Sequence, residues 1–134
     1  MGKLITKLGL PKKILLQGWA GDQGNDDING EYTFIGNHSS VPSRQNIYIN
    51  ESISTPGEGV DDHPAIYWNG SYWEHDSDDT GWENHSTNPN ELPLTGWVEW
   101  EAQGPAGTIT PILTNTKNIS IKKQNLGGGR NLLI

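Results

Sequence analysis

The chain contains no cysteine. Disulfide staples, thiolate metal sites and a cysteine nucleophile are therefore excluded from its chemistry. Hydrophobic residues make up only 32% of its 134 positions, with one methionine and one phenylalanine. No run of about 18 apolar residues occurs, so no segment reads as a membrane-spanning helix. The opening Met-Gly-Lys-Leu-Ile-Thr lacks the apolar region and small-residue cleavage pattern of a signal peptide. Gly2 and Thr6 fit the loose N-myristoylation pattern, a match short enough for coincidence to explain. A G-x-S-x-G elbow, a P-loop and a G-x-G-x-x-G fingerprint are also missing.

The most telling absence is of positive charge in the middle of the chain. Between residues 14 and 116 the only base is Arg44, and all 16 acidic residues lie there. The ends are the reverse. Lys3, Lys7, Lys12 and Lys13 open the chain, and Lys117, Lys122, Lys123 and Arg130 close it, with no acid in either segment. The net charge of −7 thus hides an acidic body between two basic ends. Such a body would repel phosphates, which argues against nucleic acid as its partner. The ends are also apolar, with Leu4, Ile5, Leu8, Leu10, Ile14, Leu15 and Leu16 on one side and Leu126, Leu132, Leu133 and Ile134 on the other. Disordered tails are usually poor in such residues. These ends read as arms that dock, on the chain's own acidic surface or on another subunit.

What is present points to strands. Gly and Pro supply 17 and 8 residues, which favours strands joined by many turns, and six tryptophans carry much of the apolar load. The clearest local signal is Ile66-Tyr67-Trp68-Asn69-Gly70-Ser71-Tyr72-Trp73-Glu74. Asn-Gly between aromatic and β-branched residues predicts a two-residue type I′ hairpin, because both central positions need φ > 0. That register sets Trp68 against Ser71, Tyr67 against Tyr72 and Ile66 against Trp73. Ile66, Trp68 and Trp73 then share the core face, and the two tyrosines form a surface ladder.

Further strand signals follow at Asp27–Ile35, with Asn29-Gly30 as a hairpin turn, and at Asn46–Asn50. Gly96–Ala102 alternates cleanly, with Val98, Trp100 and Ala102 facing in and Glu99 and Glu101 facing out. Ile109–Leu113 and Lys117–Lys122 offer two more strands, and residues 51–63 and 76–92 read as acidic loops. The expected fold is all-β: a small antiparallel sandwich or barrel of about seven or eight short strands with extended N- and C-terminal arms. Residues 1–16 form the basic apolar arm, 17–116 the acidic β-domain, and 117–134 a basic strand and arm.

The ordered set Asn29-Gly30-Glu31-Tyr32, Tyr48, the Ile66–Glu74 nonapeptide, Pro93 and Gly96-Trp97 resembles a recurrent small β-domain. It is similar to the domain carried by small virion structural proteins of tailed bacteriophages, and related modules recur in extracellular multidomain proteins. The resemblance covers roughly residues 28–100 and leaves the arms outside. It implies a non-catalytic displayed or adhesive module and brings no catalytic residues with it.

Other constellations have plainer accounts. Asp76-Ser77-Asp78-Asp79-Thr80-Gly81 opens like a calcium loop, but position 87, where the closing Glu belongs, holds Thr87. A solvated acidic loop accounts for it. His38, His63, His75 and His85 show no zinc-ligand spacing and read as isolated surface histidines. Glu99 and Glu101 could stand at the spacing of a glycosidase carboxylate pair, yet an ordinary strand with a solvated face explains them. Five Asn-x-Ser sequons, at Asn37, Asn50, Asn69, Asn84 and Asn118, reflect an Asn- and Ser-rich composition.

The functional expectation is a non-enzymatic virion structural protein, needing no cofactor or metal. Capsid decoration or another head-associated place is favoured over the tail. Lys3, Lys7, Lys12, Lys13, Lys122, Lys123 and Arg130 are the candidate docking residues, and their partners are other virion subunits or a second copy. The alternative is a carbohydrate- or receptor-binding module of a tail fibre or extracellular protein. Its glycan platform would be Tyr67, Tyr72 and Trp82, since exposed aromatic rings stack on sugars.

Overall fold

The computed structural model describes residues 9–20, 27–77, 80–100 and 104–113. Eight strands run through them: β1 (Lys13–Gln17), β2 (Gly30–Gly36), β3 (Gln45–Ile49), β4 (Ala65–Trp68), β5 (Trp73–Ser77), β6 (Thr80–Asn84), β7 (Val98–Glu99) and β8 (Thr108–Ile112). They form one curled sheet in the order β7-β6-β5-β4-β3-β2-β1-β8. Every pairing is antiparallel. The all-β antiparallel architecture expected from the sequence is therefore present. The two sheet edges approach each other where the Ile109 amide of β8 donates to the Leu94 carbonyl, just before β7, at 3.2 Å.

Strand alternation selects what lines the inside of the curl. Ile14 and Leu16 of β1 point in, and the row Phe34, Tyr48, Ile66, His75 and Trp82 crosses five strands from β2 to β6. Trp68 and Trp73 form a second inner pair, edge to face at 6.1 Å. Connecting segments complete this core with Trp19, Ile28, Leu92 and Trp97. Each fully buried tryptophan removes roughly 150–250 Å² from water, about 4–6 kcal/mol of gross transfer free energy. A buried indole must also place its N–H. Trp19 donates to the Thr108 carbonyl, Trp73 to Asn88, Trp82 to Gly104 and Trp97 to Pro93, all within 3.1 Å. The same side chains that fill the core thus fix the loops around it.

β4 is buried on both sides. Ile47, Ile49, Ala65 and Tyr67 face the outer side of the sheet, where Val60 from the 50–64 connection covers them. That connection, an acidic loop by its sequence, therefore forms part of a second, smaller core.

The central hairpin keeps the expected faces with a different register. Trp68 pairs with Trp73, Tyr67 with Glu74 and Ile66 with His75. The connection is therefore four residues, Asn69 to Tyr72, in place of a two-residue turn. The Asn69 side-chain oxygen accepts the amides of Ser71 and Tyr72, both at 2.9 Å, and the Asn69 amide donates to the Tyr72 carbonyl. An Asx turn of this kind competes with the type I′ geometry, and it allows the two indoles to meet directly. The shift is two residues, so no side chain changes face.

Asn29-Gly30 is likewise no hairpin turn. β2 pairs with β1 across the 18–29 connection, and the Asn29 amide group clamps the Trp19 backbone. Its oxygen accepts the Trp19 amide at 2.8 Å and its nitrogen donates to the Trp19 carbonyl at 2.9 Å. The stretch expected to be an arm through Leu16 ends in β1, inside the sheet. The stretch read as an acidic loop at 76–92 contains β6. β7 is only two residues long, with Val98 and Trp100 turned outward instead of into the core. The expected strand at Lys117–Lys122 lies outside the described residues.

Antiparallel order sorts the connections onto two rims. The ends of β1, β3, β5 and β7 meet the starts of β2, β4, β6 and β8 at one rim; the ends of β2, β4 and β6 meet the starts of β3, β5 and β7 at the other. Among described residues the first rim's connections carry Asp27, Glu51, Glu58, Asp61 and Asp62, and the second rim's only Glu91. Lys13 pairs with Ile112, so the chain enters β1 and leaves β8 together at the acid-poor rim.

The 104–107 segment packs tightly against the end of β1. A Cβ on Gly107 would stand 2.0 Å from the Gln17 carbonyl oxygen and 2.8 Å from the Trp19 nitrogen. Gly107→Ala is expected to destabilise the fold by about 1–3 kcal/mol, the usual penalty for overpacking. Gly107→Ala matching wild type in urea denaturation would mean this contact is loose.

Candidate functional site

The outer side of β5 to β7 carries side chains that neither core uses. Pairing places Tyr67, Glu74, Glu83 and Val98 in one cross-strand row, and Ala65, Asp76 and Gly81 in the next. The Trp100 amide donates to the Gly81 carbonyl at 3.1 Å, continuing the second row. Gly81 leaves room for the Trp100 ring, because a Cβ there would lie 2.5 Å from it. Trp100 remains 42% exposed and Val98 57%. This face therefore presents an indole and an isopropyl group beside a bank of carboxylates.

Its polar groups are partly locked. The Arg44 guanidinium lies 4.4 Å above the Tyr67 ring, stands 3.4 Å from an Asp76 oxygen and donates to the Gly59 carbonyl at 2.7 Å. The body's one base is thus consumed at the junction of β4, β5 and the 50–64 connection. Burial pushes the Asp76 carboxyl up to about 6, against the pull of Arg44. Burial also raises the Tyr67 hydroxyl well above its ordinary value. At the acid-poor end of the face Tyr72 stacks on His85, with ring centroids 4.4 Å apart, and His85 contacts Glu83 at 2.5 Å.

The glycan platform expected from sequence does not form. Tyr67 is 2% exposed and Trp82 fully buried, because the first lies under the 50–64 connection and the second in the inner row. Tyr72 alone of the three reaches the surface, packed on His85. The aromatic residue that does lie open on the sheet is Trp100. Sequence alternation had placed it inward by treating Gly96–Ala102 as one regular strand. The signal that could have exposed it is Gly81, a side-chain-free position inside a strand.

Of the candidate docking residues, Lys3, Lys7, Lys122, Lys123 and Arg130 lie outside the described residues. Lys12 is exposed, while its carbonyl accepts the Phe34 amide at 2.9 Å. Lys13 stands 3.5 Å from Glu31 across β1 and β2, so its charge is engaged within the body. Among the described residues no cluster of three or more His, Asp or Glu side chains could hold a metal ion. Asp76 of the calcium-like stretch pairs with Arg44, and Asp78 and Asp79 lie outside the described residues, as does Glu101 of the carboxylate pair.

The histidines occupy four separate surroundings. His38 contacts Ser40, His63 the Ile53 carbonyl and His85 Glu83. His75 is not a surface residue as expected: it is fully buried, stacked on Trp19 at 5.5 Å and edge-on to Trp82 at 5.3 Å. Tyr32 donates its hydroxyl to the Ile28 carbonyl, so its oxygen accepts from His75 Nε2–H at 2.9 Å. This assigns a neutral ring with the proton on Nε2. Burial pulls the imidazole down to about 3.

The pH consequence has a definite sign. Below about pH 6.5 the unfolded chain protonates this histidine and the folded one does not, so stability falls as pH drops towards 3. Asp76 acts oppositely, since the folded chain holds its proton between about pH 6 and 3.8 while the unfolded chain releases it. In urea titrations at pH 7 and 4.5, His75→Phe is expected to lose about 2–3 kcal/mol less on acidification than wild type. Equal losses would place the acid sensitivity elsewhere.

Comparison with protein-family models, curated proteins and solved structures finds no match to this chain.

Proposed function

We propose that this chain is a non-enzymatic virion structural protein, head-associated as a capsid decoration, that docks through its basic ends and displays its acidic β-body. The observation that carries the reading is the pairing of Lys13 with Ile112, which puts the entry to β1 and the exit from β8 at one rim. Two basic, apolar segments leaving side by side can engage one neighbouring surface, and their contact areas combine. The opposite rim holds the acidic connections, so the charge that would oppose docking on an anionic subunit faces away. The resemblance of the Ile66–Glu74 segment to phage virion domains supports the virion setting.

The carbohydrate- or receptor-binding alternative has less support, because its proposed platform residues Tyr67 and Trp82 are inside the fold.

Trypsin gives a direct test, since Arg44 is the only base between residues 14 and 116 and its guanidinium is engaged. Limited digestion of the dilute protein, read by intact mass, is expected to cut at Lys3 and Lys7 and at Lys117 and beyond, leaving a resistant body. Resistance at both ends would mean the arms already belong to a folded unit and would contradict the docking reading. The virion setting is tested separately: tagged protein should co-sediment with heads in gradient-purified particles from the source of this gene. Its absence from particles would refute that setting.

A further inference from the structure

The outer face of β5 to β7 sets exposed apolar groups directly beside carboxylates. Val98 of the two-residue strand β7 and Trp100, just beyond its end, stand exposed next to Glu83, Glu74 and Asp76. Among the described residues β7 has a partner strand on one side only. The Trp100 ring lies against the Gly81 backbone, where a Cβ would stand 2.5 Å from it. Of these carboxylates Arg44 pairs with Asp76, and His85, stacked on Tyr72, contacts Glu83. An exposed indole with carboxylates beside it is complementary to an extended segment that alternates apolar groups and cations.

The chain itself contains such a segment. Beyond Leu113, residues 114–134 include Lys117-Asn118-Ile119-Ser120-Ile121-Lys122-Lys123. In an extended chain successive side chains alternate, so Lys117, Ile119, Ile121 and Lys123 share one side: two apolar groups flanked by two cations. We infer that the C-terminal segment of one copy docks in extended form along the β7 edge and outer face of a second copy. Ile119 and Ile121 then cover Val98 and Trp100, and the lysine at the Val98 end reaches the row of Glu83 and Glu74. β8 runs towards the acid-poor rim, where Ile112 lies beside Lys13. Docking on its own β7 from there would run parallel to β7, whereas every pair in this sheet is antiparallel. A neighbouring copy imposes no such restriction. The inference rests on the docking reading and names the partner of one arm: another copy of this chain.

The test is sedimentation velocity of the full chain over a concentration series at low and high salt. Wild type is expected to self-associate at low salt and to dissociate at high salt, as charge-assisted contacts require. Two variants separate the partners: Glu74→Lys with Glu83→Lys on the body, and Lys117→Glu, Lys122→Glu and Lys123→Glu on the tail. Each alone should be monomeric where wild type associates, and mixing them one to one should restore association, because acidic tail then meets basic face. Trp100→Ser should weaken wild-type association at least tenfold with an unchanged circular dichroism spectrum. The tail variant changes no residue of the sheet, so it remains informative if the body variant folds poorly. Wild type that stays monomeric throughout, or a mixture no more associated than its components, overturns the inference. A monomeric wild type that still co-sediments with heads would sink only this inference, whereas absence from particles would sink the virion reading.

Discussion

β1 pairs with β2 on one side and with β8 on the other, so the first strand of the described chain is hydrogen-bonded to the last. The rest of the structure depends on that double ladder. It curls the sheet far enough for Ile109 to reach Leu94, and it carries Trp19 from the end of β1 into the space enclosed. There Trp19 meets His75, Trp82 and Trp97 within 5.7 Å, ring on ring. Without β8 against β1, Gly107 would have no close approach to Gln17, and the Trp19 indole would lose its acceptor at Thr108.

A chain with so few aliphatic residues builds its core from large amphipathic rings, and this has consequences. Most buried indoles and phenols donate to backbone carbonyls: Gly104, Asn88, Pro93 and Ile28 in connections, Thr108 at the start of β8 and, for Tyr48, Pro11 at 2.6 Å. Loops are thereby tied to the core without disulfides. His75 is the costly member of this set, since its Nδ1 is buried with no partner among the described residues. A buried unpaired acceptor costs about 1–3 kcal/mol, set against the packing of three aromatic neighbours.

Much of the fold was legible in the sequence where alternation and turn chemistry agree. β3, β8 and the β4–β5 hairpin stand within a residue or two of their expected places, and Ile66, Trp68 and Trp73 face inward as expected. The misreadings share a cause, which is that local signals were outweighed by tertiary partners. Asn69 and Asn29 were read as turn formers for their backbone tolerance, yet both act through side-chain hydrogen bonds. Tyr67 was read as exposed because its neighbours alternate, but the 50–64 connection folds over it. Lys13–Leu16 looked like arm because its strand partners lie far along the chain. The candidate site was less legible still: the charge segregation was visible, but the gathering of both ends at one rim required the β1–β8 register.

That register underlies the whole account of docking, and the absence of native cysteine makes it measurable. Residues opposed in an antiparallel ladder have Cα atoms about 4.5–5.5 Å apart, inside the disulfide range. The direct measurement is intact mass after mild oxidation of the Lys13→Cys/Ile112→Cys double variant, with Lys13→Cys/Asp61→Cys, across the two rims, as reference. An intramolecular disulfide is expected in the first protein, seen as the loss of two hydrogens without dimer, and none in the second. Free thiols or only intermolecular dimers in the first would contradict the shared exit of the two ends.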